Sequence, residues 1–321
     1  MPRTTHYNNH ILIVGPGLDE ILEPGRRILL FDEFYADIYG DYVFLGYDVA
    51  AESIITERAD LVGLYTAAVL LDSDPSIIVC GKNPSQCLLA LASHLVYRNM
   101  KKPLEALKEA TNVLEQLYHN KNKLRPSIQG LIGLTGLYAS LQVTRGASKL
   151  SPIIALASNY EYGHGRLHYG ETVSWLAHLG ANKEVVLAAL LHFLVEGPGS
   201  PRELLEKRLS AIGRDNLVTL LGDDSKEAID ILQDYANNME HEYSRMLALI
   251  ETLGPGEPQI IHVDRRDREL IVYCKEGSHG EPVKDCVLAV GKASKLLPLR
   301  EIGLEEIRIT TKFDSSHSPM M

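Results

Sequence analysis

Cysteine is scarce in this chain: Cys80, Cys87, Cys274 and Cys286 are the four among 321 residues. That number does not make the dense disulfide framework of a small secreted domain. No two of them form a Cys-x-x-Cys pair, so a structural zinc site is not expected. Long apolar runs are missing as well. Charged or polar residues interrupt every apolar segment before membrane-spanning length. The start, Met1-Pro2-Arg3-Thr4-Thr5-His6, is polar and lacks the apolar core of a signal peptide. The expectation is a cytoplasmic protein with no membrane partner. Basic charge is not in excess either: 32 Lys and Arg stand against 42 Asp and Glu, a net charge of −10. A nucleic-acid backbone needs a basic surface, so nucleic acid is not expected as a general partner. Gly15-Pro16-Gly17 has too few glycines for a dinucleotide-binding fingerprint, and no repeat of fixed period is present. What the chain does have is 45% hydrophobic residues, enough for a sizeable core, and length for two or three domains.

The stretch from Ser76 to Tyr118 organises the rest. Ile77, Ile78 and Val79 are β-branched and contiguous, which predicts a buried strand ending at Cys80. Gly81, Lys82, Asn83, Pro84, Ser85 and Gln86 are small or polar without periodicity and predict a loop. Leu88, Leu91, Ala92 and Leu95 then recur at helical spacing. After the Met100-Lys101-Lys102 turn, Pro103 suits a helix N-terminus, and Leu104, Leu107, Thr111, Leu114 and Leu117 predict a second helix face. Strand, cysteine, short loop and helix together make an anion-binding device. Backbone N–H groups of the loop and helix start point into one concavity, and a cysteine at its floor is favoured as a nucleophilic thiolate.

This stretch resembles the cysteine-dependent protein tyrosine phosphatases, in particular the small dual-specificity type. That family's motif is His-Cys, five residues, Arg, then Ser or Thr. Here the positions read Val79, Cys80, Gly81 to Ser85, Gln86 and Cys87. The helices Leu88 to Met100 and Pro103 to Leu107 are similar to the family's too, and the resemblance covers residues 1–122. It implies an α/β fold, Cys80 as nucleophile and Gly81 to Cys87 as the phosphate cradle. It also implies an aspartate on a loop as general acid. Asp48 precedes Cys80 by 32 residues, about the family's remove, and Phe44-Leu45-Gly46 looks like the strand leading to it. The alternative for Asp48 is an N-cap before a helix starting near Ala51. Gln86 departs from the motif, because an amide cannot replace a bidentate guanidinium. In the family a second cysteine can form a reversible disulfide with the nucleophile, and the resemblance gives Cys87 that place.

Taken in order, strands are expected at Ile11 to Val14, Arg27 to Phe31 and Tyr42 to Leu45, then a helix from Glu52 to Leu71 with Ile55, Ala59, Val62 and Val69 inward. The polar run from His119 to Pro126 sets a domain boundary near residue 122. Residues 123–254 read as all-helical. Their elements are a helix from Gln129 to Leu141, a break from Thr144 to Pro152, a short helix at Ile153 to Ser158, and a glycine-rich loop from Asn159 to Gly170. Further helices follow at Glu171 to Leu179, Asn182 to Leu194, Pro201 to Ile212 and Asp215 to Leu221. Ser225 to Thr252 reads as the longest, with Ile229, Leu232, Ala236, Met239, Tyr243, Met246 and Ile250 on one face.

His168 and His192 weakly resemble the histidines of the His-Asp metal phosphohydrolases. Phe193 stands in the aspartate position and cannot ligate a metal. No metal and no cofactor are expected. Residues 255–313 read as a small α+β part. It has strands at Gln259 to Val263, Glu269 to Cys274 and Glu306 to Thr310, and a helix from Pro282 to Leu297. A disordered tail over 314–321 follows. The Arg265, Arg266 and Arg268 cluster falls on a hairpin tip, where it is solvated charge or a phosphate contact.

The fold class expected is therefore an α/β phosphatase-like domain, an all-α bundle and a small α+β part. Three functions follow. One is a pseudophosphatase that binds a phosphorylated protein or a small anionic ligand. Another is an active phosphatase whose arginine comes from elsewhere, with Arg98, Arg145 and Arg166 as candidates. The third is a helical scaffold.

Overall fold

The computed structural model describes residues 3–14, 27–31, 48–51, 61–73, 76–80, 84–118, 124–160, 168–238, 240, 244–245, 260–296 and 304–312. The chain is mixed α/β and mostly helical. It divides into two compact units, Met1–Leu141 and Gln142–Met321. The boundary expected near residue 122 falls inside the first unit, and the helical and small α+β regions share the second.

The first unit is built on a five-stranded sheet. Its strands are β1 (Arg3–Tyr7), β2 (His10–Val14), β3 (Arg27–Phe31), β4 (Asp48–Ala51) and β5 (Ser76–Cys80), in spatial order β1-β2-β5-β3-β4. β1 and β2 form an antiparallel hairpin whose turn uses Asn8 at φ 51°, a conformation asparagine tolerates. The other neighbours are parallel. β5 lies in the middle, and Ile77, Ile78, Val79 and Cys80 are fully buried. A strand covered on both faces has no polar face to show, which is why its apolar run is continuous rather than alternating.

Two expectations are corrected here. The fourth strand is Asp48–Ala51, so Ala51 belongs to a strand and Asp48 is not the N-cap of a helix at Ala51; Tyr42 to Leu45, and the expected helix from Glu52 up to residue 60 with Ile55 and Ala59, lie outside the described residues. The helix α1 is described over Leu61–Ser73, and it buries Leu61, Leu64, Ala67, Ala68 and Leu71. Val62 and Val69, expected inward, are only half-buried.

Helix α2 (Pro84–Asn99) buries every residue from Cys87 to Val96. A helix buried all round must be covered all round, and α1 and α3 (Pro103–Leu114) both pack on it. Pro103 opens α3 at its first position after an extended Lys102, where proline costs no hydrogen bond. The buried face of α3 is Ala106, Leu107, Ala110 and Leu114, while Leu104, expected inward, is exposed. Helix α4 (Ile128–Val143) brings Gly130 against Leu89 of α2. A Cβ at Gly130 would lie 2.6 Å from Leu89 Cδ1. Leu89 is itself buried and has little room to yield. Gly130→Ala gains about 1 kcal/mol of helix propensity, but overpacking a core costs about 1–3 kcal/mol. A net loss of stability is expected, read as a lower denaturation midpoint at unchanged slope.

The second unit contains α5 (Ala147–Ser158), α6 (His168–His178), α7 (Lys183–Leu190), a 3-10 turn (His192–Leu194), α8 (Pro201–Ile212), α9 (Arg214–Leu221) and α10 (Asp224–Asn237). The break before α5 is shorter than expected. It is made by Gly146 at φ 120°, a conformation that suits glycine, and Pro152 sits inside the helix. Helix α6 opens at His168, so the expected loop to Gly170 ends early. The single long helix expected over Ser225 to Thr252 is also corrected. α10 stops at Asn237, and Ser244 Oγ donates to Ile231 O at 2.8 Å. A straight helix would set residues 13 apart about 20 Å from each other, so the chain turns back between Asn238 and Ser244.

A second sheet is formed by β6 (Ile260–Arg266), β7 (Glu269–Cys274) and β8 (Glu306–Thr310), in that order. The third strand is as its alternation predicts, and the hairpin forms, but β6 runs on to Arg266, so Arg265 and Arg266 lie in the strand rather than at the tip; Gln259 lies outside the described residues. Helix α11 (Lys284–Leu296) connects β7 to the parallel β8, and the Cys274–Cys286 disulfide ties it to β7. At the hairpin tip, Arg268 pairs with Glu305 at 2.6 Å, and Arg308 with Glu269 at 2.6 Å. Residues 314–321 lie outside the described residues.

Candidate functional site

Parallel strands leave their carboxyl ends at one edge of the sheet, and ligands bind α/β sheets at that edge. β5 ends there at Cys80, with Phe31 of β3 beside it in register. The connection to α2 is short. The helix begins at Pro84, so Pro84, Ser85 and Gln86, expected in a six-residue loop, are helical; Gly81, Lys82 and Asn83 lie outside the described residues. Ser85, Gln86 and Cys87 belong to the first turn of α2. Asn83-Pro84 carries the signal for this early start: a capping residue followed by proline at the first helical position.

Cys80 is bonded to Cys87, with their Cα atoms 5.6 Å apart, inside the range a disulfide spans. Both residues are fully buried. No cysteine among the described residues is free, and the second bond, Cys274–Cys286, had no signal in the sequence. Ser85 and Gln86 are half-buried.

The structure does not bring Asp48 to Cys80. Arg27 of β3 is in register with Asp48 on one side and with Ser76 on the other. Asp48 is therefore level with the start of β5, about 13 Å along the strand direction from Cys80, and two strands away. It stands at the amino edge of the sheet. The chain leaving the carboxyl ends of β2, β3 and β4 starts at the same edge as Cys80. Those segments lie outside the described residues.

Of the candidate arginines, the one in the first unit is placed away from Cys80. Arg98 is roughly 18 Å along α2 from Gln86 and pairs with Asp72 at 3.6 Å. Arg145 belongs to the second unit, where it faces Asp224 at 3.9 Å. Arg166 lies outside the described residues. In the second unit His192 is buried, 3.3 Å from Glu196 and edge-on to Tyr235. Among the described residues no three metal-ligating side chains come together.

The sequence did not reveal one buried polar cluster in the first unit. Tyr7 at the end of β1 and His10 at the start of β2 flank the hairpin turn. Both are buried, as is His94 of α2. Tyr7 Oη lies 2.7 Å from His94 Nδ1, His94 Nε2 lies 3.3 Å from Asp72 Oδ1, and His10 Nε2 lies 2.8 Å from Leu71 O. The carboxylate accepts from Nε2–H, so Nδ1 is the acceptor of the tyrosine O–H. No periodic signal links these residues, since Tyr7 and His94 are 87 positions apart. The cluster sits at the end of the unit opposite Cys80. No protein-family model matches the chain, and no curated protein or solved structure matches it.

Proposed function

We propose that the first unit is a phosphatase-like domain that binds a phosphorylated protein or a small anion and does not turn it over. On this reading the second unit, helical with a small α+β part, is a fused accessory region. The observation that carries the proposal is the state of Cys80. It ends the central strand at the ligand-binding edge of the sheet, yet its sulfur is bonded to Cys87 and buried. A disulfide sulfur is not a thiolate and cannot attack phosphorus. Gln86 points the same way, because it supplies no charge to the phosphoryl oxygens. The strand–loop–helix order and the resemblance over Ser76 to Tyr118 support the anion-binding half.

The test is hydrolysis of p-nitrophenyl phosphate by the full chain, air-oxidised and dithiothreitol-reduced, with Cys80→Ser as control. Phosphate binding is followed in parallel by calorimetry. No turnover in either state, with weak phosphate binding, is expected. Turnover that appears on reduction and vanishes in Cys80→Ser would instead make the protein an active phosphatase silenced by its disulfide. Neither turnover nor binding would leave the scaffold reading.

A further inference from the structure

The buried cluster joins three elements that are distant in sequence. Tyr7 and His10 come from the β1–β2 hairpin, Leu71 and Asp72 from the end of α1, and His94 and Arg98 from α2. The three rings are mutually close: Tyr7 and His94 at 5.6 Å, Tyr7 and His10 at 6.3 Å, His10 and His94 at 6.5 Å between centroids. β1 is an edge strand. Besides its pairing with β2, it is held by Thr5, which donates to Gln116, and by Tyr7.

We propose that Tyr7, His10, His94 and Asp72 form an acid-sensitive latch that fastens β1 and the hairpin tip to α1 and α2, and that opens when both imidazoles take up a proton. In the closed state His94 accepts the tyrosine O–H at Nδ1. A proton there reverses the bond: the ring N–H now donates to Tyr7 Oη, and the tyrosine O–H loses its acceptor inside a buried site. A second positive ring at His10 then faces the first inside a buried site, where like charges are poorly screened.

The surrounding charges divide. Asp72 favours protonated His94, and Arg98 opposes it. Arg27, which donates to Ser73 at 2.7 Å, and Arg98 both oppose protonated His10. Glu109 of α3 and Asp72 act on Tyr7 and hold its hydroxyl protonated, while Arg98 acts in the opposite sense. Burial is the largest influence. It holds both imidazoles below the ordinary histidine range and pushes the Tyr7 hydroxyl up.

The sign follows from linkage. The closed state binds these protons less readily than the open one. The latch is therefore fully favoured above about pH 6.5, the unperturbed histidine value, and weakens as pH falls below it. With two protons taken up, the opening equilibrium rises by up to about a hundredfold per pH unit.

Hydrogen exchange on the full chain between pH 7.5 and 5, corrected for the intrinsic rate, tests the proposal. Protection across residues 3–10 should fall steeply below about pH 6, while residues 76–80 stay protected. Loss of protection in both segments at the same pH would mean global unfolding and would overturn the latch. So would protection of residues 3–10 that does not change with pH. The double variant His10→Gln, His94→Gln should flatten the dependence. The wild-type imidazoles can also be followed directly by NMR. Their protonation should coincide with the loss of protection, and a ring still neutral after residues 3–10 have opened would refute the mechanism whether or not the variant folds.

Discussion

Replacing Arg208 by alanine should destabilise the second unit by about 3–4 kcal/mol, among the larger effects a single substitution produces. Arg208 is carried by α8 and is buried. Its Nη1 donates to the carbonyls of Phe193 and Glu196. Those carbonyls belong to the 3-10 turn and the residues after it, where α7 has ended and backbone acceptors need new donors. The guanidinium also lies over the Tyr160 ring at 4.7 Å, and Tyr160 stacks on Phe193 at 5.8 Å. One side chain thus fastens α8, the end of α5 and the 3-10 turn.

A hydrogen bond from a charged donor contributes about 1.5–3 kcal/mol, and a desolvated cation–π contact about 2 kcal/mol. These overlap rather than add, because they share one group. Arg208→Lys keeps the charge and loses the planar fork, so it should cost about half as much. The only tryptophan of the chain, Trp175, is buried in α6 of the same unit. Its fluorescence in a urea titration reads the second unit directly. A shift in midpoint under about 0.5 kcal/mol would place Arg208 among ordinary surface substitutions and contradict the packing described.

Much of this architecture is legible in sequence, and the exceptions have physical causes. Ile77 to Val79 reads as a strand because β-branched residues on a two-sided sheet leave no other option. Ile307, Arg308 and Ile309 alternate, and they form β8. Pro103 and Pro201 mark helix starts because the missing N–H costs nothing there. The departures share another pattern, in which local periodicity continues where the chain does not. Met239, Tyr243 and Met246 extend the stripe of α10 on paper, yet Asn237-Asn238 ends the helix and Ser244 folds back on Ile231. Asp48 lies at a suggestive distance in sequence but belongs to a strand, and parallel pairing carries it to the opposite edge from Cys80. The segment after Cys80 reads as a six-residue loop because Pro84 and Ser85 look like loop residues, although proline belongs equally to a first helical turn. The Tyr7–His94–Asp72 chain leaves no trace in sequence, since its members come from three separate elements. Pairing of Cys274 with Cys286 likewise depends on α11 returning beside β7.

Gln86→Arg should strengthen phosphate binding by the reduced protein roughly twofold to a hundredfold, provided that residues 81–86 are a phosphate cradle. Gln86 lies in the first turn of α2 and is half-buried, so a longer side chain there can reach solvent without repacking the core. The gain is a charge-assisted fork to the dianion, about 1.5–3 kcal/mol. A cation near a helix N-terminus opposes the macrodipole and loses about 0.3–1 kcal/mol. The difference, about 0.5–2.7 kcal/mol at about 1.4 kcal/mol per decade, is roughly twofold to just under a hundredfold. Reduction matters because the Cys80–Cys87 bond fixes the first turn of α2 to the end of β5, and the same variant should gain less when oxidised.

Restoring the rest of the motif is a different matter. Val79 is fully buried in the central strand. Placing an imidazole there buries a polar group at a cost of about 1–3 kcal/mol unless a partner forms, so Val79→His is best made as a separate variant with its stability measured first. Comparable electrostatic groups in active sites change rates by about a hundredfold to a thousandfold. A gain in binding without a gain in turnover would locate the remaining defect outside the cradle, in the general acid or in the histidine position held by Val79. If Gln86→Arg leaves phosphate affinity unchanged in the reduced protein, the segment after Cys80 does not bind phosphate, and the function proposed for the first unit fails.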